Sequence, residues 1–411
     1  MNNMKKNVLW NAIGTTFNSF NSLFFMIIVT RLNGMSDSGV FTLAFSLACL
    51  FCLLAGYEGR VFQVTDTSGE FNDREYILHR YFTSFLAILI VVGYGMIMKY
   101  DRFQMIVVFE LCLMKILEML ADVYYGILQK NSRLYQVGFS LFIKAILSVL
   151  TFFVVDLLTR NLVIACACLD LIWLLILFIY DIPKARKCIS KDPVSFKKSM
   201  KIFKSGFFAF SILFLSIYLV NAPKYALDGR VDSSLQAVFG IILMPATFLS
   251  LAVQYIIQPV LNKLASFFVD NQIQKFRKTV QKVVFMIGCI GLPILVVAFF
   301  LGIPVLNILY NIDISNYRNE LMFILLGAIF YSISTLLSAA LTTVRHTFVQ
   351  FVVFLVSSVF GFVISILLIH SFGITGASIA YLLIMVFQLL LYIGSYFLIM
   401  RKLSKECEDR A

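Results

Sequence analysis

Residues Glu110–Gln129 read ELCLMKILEMLADVYYGILQ, an oily span that nevertheless carries Glu110, Lys115, Glu118 and Asp122. On a helix turning about 100° per residue, Lys115, Glu118 and Asp122 fall within roughly one sixth of a turn of each other. That face cannot look at lipid. An ionisable side chain near the middle of a bilayer costs on the order of 3 kcal/mol, so such groups pair with one another or border a wet cavity. Either Lys115 and Glu118 form a structural ion pair between helices, or the surrounding chain encloses something polar.

The composition sets the class. Of 411 residues, 60% are apolar, 15% aromatic and 14% charged, whereas soluble domains carry about 25% charged residues. The chain reads as an all-α, polytopic membrane protein. Its net charge of +12 follows from sidedness, argued below, and no nucleic-acid-binding module is present. Cys49 and Cys52 form a C-x2-C inside an apolar run with no second pair and no nearby His, which points to packing and not to a metal. His79, His346 and His370 are scattered. No metal site, cofactor motif or catalytic nucleophile–base pair is read, so the chain is not expected to be an enzyme.

Twelve spans are expected, most of them near the ~20 residues that cross the hydrocarbon. Six run at about Val8–Val29, Gly39–Gly56, Tyr81–Met98, Phe103–Leu128, Val137–Leu158 and Asn161–Tyr180. Six more run at about Ser205–Leu227, Gln236–Leu261, Val283–Leu309, Leu321–Val344, Phe348–Ile369 and Gly373–Met400. The first has a positive flank, but Asn11, Asn18 and Asn21 interrupt its core and no small-residue cleavage site follows, so it is expected to remain as a span. Between the sets lies the most basic stretch, with Lys184, Arg186, Lys187, Lys191, Lys197, Lys198, Lys201 and Lys204 against Asp192. The expected organisation is therefore an N-terminal six-helix bundle over 1–182, a basic cytoplasmic linker over 183–204, and a C-terminal six-helix bundle with a short cytoplasmic tail over 205–411.

With both termini inside, 25 of the 34 Lys and Arg residues fall on the inner side, 6 on the outer side, and Lys115, Lys144 and Lys224 within spans. Shifting the count by one span would destroy this asymmetry, which is what the positive-inside rule predicts. The excess charge then faces anionic headgroups. A weak echo supports two halves of like direction: Gly34, Asp37 and Ser38 after the first span recur as Gly229, Asp232 and Ser233 after the seventh. An even number of spans per half makes the halves parallel repeats, and a central cavity between them is the natural place for polar faces.

Those faces can be named. Asn7, Asn11, Gly14, Asn18, Asn21 and Ser22 recur at three and four along the first span, and Gln136, Ser140, Lys144 and Ser148 step by four in the fifth. Asn221, Pro223 and Lys224 lie near the outer end of the seventh, and Gln254, Gln258 and Asn262 near the inner end of the eighth. Pro245, Pro259, Pro293 and Pro304, with Gly288, Gly291 and Gly302, mark helices that can kink beside a cavity.

Several stretches carry a family likeness: YEGRVFQVTD (Tyr57–Asp66), ADVYYGILQKNSRL (Ala121–Leu134), NAPKYALD (Asn221–Asp228), GIILMPATF (Gly240–Phe248), IIQPVLNKLA (Ile256–Ala265) and GIPVLNILYNID (Gly302–Asp313). Together they resemble the Wzx-type polysaccharide flippases of the multidrug/oligosaccharidyl-lipid/polysaccharide exporter superfamily. The likeness covers nearly the whole chain, though its motifs are loose patterns. It implies twelve helices in two six-helix bundles around a V-shaped cavity, in the bacterial plasma membrane. It also implies movement of undecaprenyl-diphosphate-linked oligosaccharide between leaflets, with a polysaccharide polymerase and glycosyltransferases as partners.

A lipid-linked sugar needs cations for its phosphates and amide groups for its glycan. Arg60, Lys115, Lys144 and Lys224 are the candidates for the first role, and Asn11, Asn18, Asn21, Gln254 and Gln258 for the second. Glu118 and Asp122 either hold Lys115 or carry a coupling proton or sodium ion. Two rival classes stay open. A multidrug or cation exporter of the same superfamily should have an acidic cavity. A polysaccharide polymerase should have a long external loop, and the longest here is about Tyr310–Glu320.

Overall fold

The computed structural model describes residues 3–57, 59–66, 69–190 and 192–408. Glu58 in the loop after the second span, Lys191 in the basic stretch and Arg410 in the tail lie outside these. The described residues are helical almost throughout, in fourteen α-helices: α1 (Asn3–Leu32), α2 (Met35–Gly56), α3 (Gly59–Thr65), α4 (Asp73–Met98), α5 (Arg102–Lys130), α6 (Leu134–Thr159), α7 (Leu162–Ile176), α8 (Ile182–Arg186), α9 (Phe196–Leu227), α10 (Ser233–Val269), α11 (Ile273–Val297), α12 (Ile303–Tyr310), α13 (Arg318–Thr343) and α14 (Thr347–Glu408). The all-α polytopic fold expected from composition is the fold observed.

Among the described residues, ten helices are long and apolar enough to cross a membrane. The expected twelve is matched only if two further crossings are counted. One is α5, whose charged side chains remove it from any purely hydropathic reckoning. The other comes from α14, a 62-residue run that breaks at Gly373 (φ 54°, ψ −126°). A left-handed φ is cheap only for glycine, so Gly373 divides α14 where the sequence ends the eleventh span and begins the twelfth.

The chain forms two compact units, Met1–Phe214 and Leu215–Ala411, with the boundary inside α9. In the first unit α1 packs along α6, α2 lies against α4 and α5, and α7 lies against α5 and α6. In the second, α10 packs on α11 and α13, and α13 on α14. The second, third and fourth crossings thus pair with one another in the same way in each unit. Gly34 and Gly229 both adopt positive φ (89° and 68°) just before α2 and α10.

Lipid tails are as apolar as leucine, so association between these helices rests on close contact and hydrogen bonds, and not on apolar burial. The sequence supplies both. Gly14 on α1 and Gly138 on α6 face each other so closely that a Cβ on either would strike backbone of the opposite helix. Trp10 and Phe17 then interlock edge-on with Phe139 and Phe142. Asn7 ties the entry of α1 to the α5–α6 turn, donating to the Ser132 carbonyl and accepting from the Tyr135 amide. Helix starts carry the expected caps: Asn72 and Glu75 form a capping box on α4, and Asp101 and Asn161 cap α5 and α7.

Two helices run beyond the expected spans. The helix that carries the seventh begins at Phe196, ahead of Ser205, so Lys197, Lys198, Lys201 and Lys204 ride on its first turns. Its entry is fixed to α4, because Ser195 N–H donates to the Glu75 carboxylate, Ser199 Oγ to the Glu75 carbonyl, and Asn72 Nδ2 to the Pro193 carbonyl. The ninth span is a single run from Ile273 to Tyr310 with a π-helical turn at Ala298–Gly302 just before Pro304. Proline lacks the N–H that would bond back to residue i−4, and the local change of register absorbs it.

Candidate functional site

The charged face of α5 is longer than the sequence suggested. Lys115, Glu118, Asp122, Tyr125 and Gln129 follow at steps of three and four, and every one has a polar partner from a neighbouring helix or from α5 itself. The column begins where Lys115 Nζ meets Glu118 Oε2 at 2.6 Å and lies over the Phe45 ring at 5.4 Å. Glu118 Oε1 also accepts from Asn18 Nδ2 at 3.0 Å, which brings the α1 stripe onto the column. This pair is not sealed: its side chains are 18% and 15% exposed.

One turn further, α3 lays Arg60 across the column. Its Nη1 meets Asp122 Oδ1 at 3.2 Å and its Nε donates to Gln129 Oε1 at 3.1 Å. Arg80 of α4 reaches the other oxygen of Asp122 at 3.8 Å and donates to the Ala55 and Gly56 carbonyls at the end of α2. Two glycines make room for this: a Cβ on Gly59 would strike the Arg80 guanidinium, and one on Gly126 would strike the Gln63 amide. Asp122 is therefore the shared anion of two arginines and not a partner of Lys115, so of the two expected carboxylates only Glu118 holds the lysine.

The innermost part is a closed ring of hydrogen bonds. Lys144 Nζ donates to Asp181 Oδ2 at 2.6 Å and to Tyr125 Oη at 2.9 Å, while Ser140 Oγ donates to Asp181 Oδ1 at 2.6 Å. With the single Ser140 proton committed there, the Tyr125 hydroxyl has two acceptors for its own proton, Ser140 Oγ at 3.0 Å and Asp181 Oδ2 at 3.4 Å. Lys144 also lies over the Trp173 ring at 4.5 Å. Asp181 closes a π-helical turn, Leu177–Asp181, that follows α7; such turns concentrate at functional sites. The Lys144 and Asp181 side chains have no exposed surface. Lys144, a candidate from its stripe for meeting phosphate, lies buried here, where its ammonium braces Tyr125 and α5.

The column thus gathers four cations (Arg60, Arg80, Lys115, Lys144) and three carboxylates (Glu118, Asp122, Asp181). Lys115 and Lys144 are each matched by one carboxylate, so the surplus positive charge lies where Arg60 and Arg80 share Asp122; Arg60 and Asp122 are 24% and 21% exposed, so it can be reached at Arg60. Asn18 joins the column; Asn11 is half-buried and Asn21 is buried, both on α1.

The remaining candidates belong to the second unit. Gln254 lines a cavity of about 170 Å³ between α10 and α13, with Thr247, Ser250, Tyr331, Ser332 and Thr335. The four hydroxyls of Thr247, Ser250, Ser332 and Thr335 each bond a carbonyl of their own helix one turn back, which leaves their oxygens as acceptors beside the Gln254 amide. Gln258, one turn on, is exposed. Lys224 is buried in the last turn of α9, beside Pro223. Among the described residues no group of three His, Cys, Asp or Glu side chains could hold a metal ion.

Sequence reasoning missed Arg80, Tyr125, Gln129 and Asp181. Tyr125 and Gln129 continue the α5 spacing and could have been found there. Arg80 reads as a loop residue because it sits beside other charges, and Asp181 is 37 positions from Lys144, with nothing local to join them.

No protein-family model matches the chain. It is 23% identical over 384 residues to the capsular polysaccharide biosynthesis protein CapF of Staphylococcus aureus, covering 92% of this chain and 95% of that one. Among solved structures it is similar to a multidrug resistance transporter of the MATE family, MOP superfamily, in an inward-facing conformation. That likeness has a TM-score of 0.72 at 11% identity and covers 97% of this chain and 99% of the other. It is also similar to the lipid II flippase MurJ in an inward closed conformation, with a TM-score of 0.70 at 17% identity over 94% and 87% of the two chains. At such identities the structural likeness speaks for the fold, which is that of multi-pass membrane transporters. The capsule-biosynthesis relative agrees with the resemblance read from the sequence, and the fold agrees with the transporter architecture which that resemblance implied.

Proposed function

We propose that the chain is a flippase that moves undecaprenyl-diphosphate-linked oligosaccharide repeat units from the cytoplasmic to the outer leaflet by alternating access, for capsular or exopolysaccharide biosynthesis. The observation that carries this reading is the α5 column, with its surplus of positive charge where Arg60 and Arg80 share Asp122 and the partly exposed Lys115 further along α5. A diphosphate is a compact anion. Arginine meets it as a planar fork and lysine as a point charge, and inside a membrane such groups mark pathways. The Asn18 amide beside them, and the Gln254 cavity in the second unit, offer the neutral donors and acceptors that a hydrated glycan requires. The work is transport, with no covalent step, and the partners are the glycosyltransferases that build the unit and the polymerase that receives it.

Depletion of the protein in cells, followed by leaflet-resolved labelling of lipid-linked oligosaccharide, tests the proposal. Outer-leaflet glycan should fall on depletion and return with the wild-type chain. Arg60→Ala and Lys115→Ala should return roughly tenfold less or lower, since a hydrogen bond to a charged group is worth about 1.5–3 kcal/mol. Undiminished outer-leaflet glycan after depletion would refute the flippase reading. The multidrug fold of one structural neighbour keeps a second reading in view, export of organic cations. Drug efflux that depends on Glu118 and Asp122, with glycan export unchanged, would favour it.

A further inference from the structure

The second unit holds a larger cavity that the transport reading does not use. It measures about 460 Å³ and lies between α11, α13 and α14, within the range of about 300–1,000 Å³ usual for small-ligand sites. Its two ends differ in chemistry. Val284 and Phe285 of α11, Ile333 of α13 and Ile393 of α14 form an apolar trough, while Gln281 and Arg277 stand one and two turns nearer the start of α11. Tyr396 completes the lining. It is only 8% exposed and its hydroxyl has no hydrogen-bond partner, and a buried hydroxyl is costly to leave unsatisfied. Among the described residues no carboxylate lines the cavity.

We infer that this cavity binds an anionic glycerophospholipid from the leaflet that bathes the start of α11, with one acyl chain in the trough and the phosphodiester at Arg277, Gln281 and Tyr396. Charge complementarity selects this occupant. Lys275, Lys278 and Lys282 surround Arg277 on the same turns and are exposed, and basic pockets between transmembrane helices capture anionic headgroups. The trough opens beside Phe285 and Phe397, which are 74% and 67% exposed on the apolar face, so a chain enters sideways from lipid. An Arg at one end of an otherwise apolar slot would not hold a zwitterionic lipid better than an anionic one.

Native mass spectrometry of the full chain, released from vesicles of phosphatidylcholine with graded phosphatidylglycerol, reads lipid retention directly. The wild type should keep one phosphatidylglycerol in preference to phosphatidylcholine. Arg277→Gln should weaken that retention about tenfold, and Val284→Trp, which fills the trough and leaves the charge, should weaken it comparably. Lys275→Gln, which removes a neighbouring charge from outside the lining, should leave it unchanged. Thermal melts confirm that each variant is folded. Equal retention of both lipids by the wild type, undiminished retention in Val284→Trp, or equal losses in Lys275→Gln and Arg277→Gln would each overturn the assignment, the last by showing only a diffuse basic surface.

Discussion

The ring around Lys144 shows how a buried charge can be fixed without being offered to a ligand. Lys144, Asp181, Ser140 and Tyr125 satisfy one another, and neither ion of the pair reaches solvent. Removing one partner leaves an uncompensated charge, which typically costs about 3–5 kcal/mol, whereas replacing both by apolar residues of similar size is often neutral. Asp181→Leu alone should therefore lower thermal stability in detergent sharply, and the double variant Lys144→Met with Asp181→Leu should recover most of it. If both single variants melt like the wild type, the ring contributes nothing to stability. The exposed half of the column behaves differently, because Arg60, Lys115 and their carboxylates keep 15–24% of their side-chain surface and a pair wetted in this way contributes less. Lys115 with Glu118 could be read from spacing, since the pair is i and i+3 on one helix. Lys144 with Asp181 could not, because sequence distance carries no information about which helices touch.

Helix α1 is held to α6 by shape and not by apolar burial. Most of its outward residues, among them Phe17, Phe20 and Phe24, remain exposed, and the contact depends on Gly14 meeting Gly138. A leucine at 138 would have to displace the Trp10 and Asn11 backbone, and overpacking of this kind typically costs about 1–3 kcal/mol. Gly138→Leu should lower the melting temperature and also weaken the Asn18–Glu118 contact, which relies on α1 lying where it does. Protection of Asn18 from solvent, followed by hydrogen exchange along α1, reads the second effect; unchanged exchange together with an unchanged melt would show that α1 tolerates the shift. Periodicity made the polar side of α1 visible but could not show that its glycine, and not its asparagines, sets the distance to α6. Span ends were hardest to place where charge and helix coincide, as at Phe196, because lysines on the first turns of α9 look like a linker until Glu75 and Asn72 are seen to anchor them.

For the chain as a whole, hydropathy and charge bias made the all-α fold and the sequence of crossings legible, because insertion is governed by single segments and not by their partners. The boundary between the two units, inside α9 at Phe214, and the matching pairings of α2, α4, α5 and α10, α11, α13 needed coordinates. The charge bias expects Lys184 and Lys402 on the inner side and Arg102 and Arg230 on the outer, so single cysteines at those positions in a cysteine-free background should divide cleanly. A membrane-impermeant maleimide should label Arg102→Cys and Arg230→Cys on intact cells, and Lys184→Cys and Lys402→Cys only after the membrane is opened. The reverse pattern would place the basic stretch outside and overturn the positive-inside reading. Under the proposed function, an inside-negative potential favours outward movement of a negative charge by about 2.3 kcal/mol per 100 mV if the charge crosses the whole field. That term acts on the charge carried and not on the orientation of the chain, so the labelling pattern decides sidedness alone, and the leaflet-resolved glycan assay decides direction.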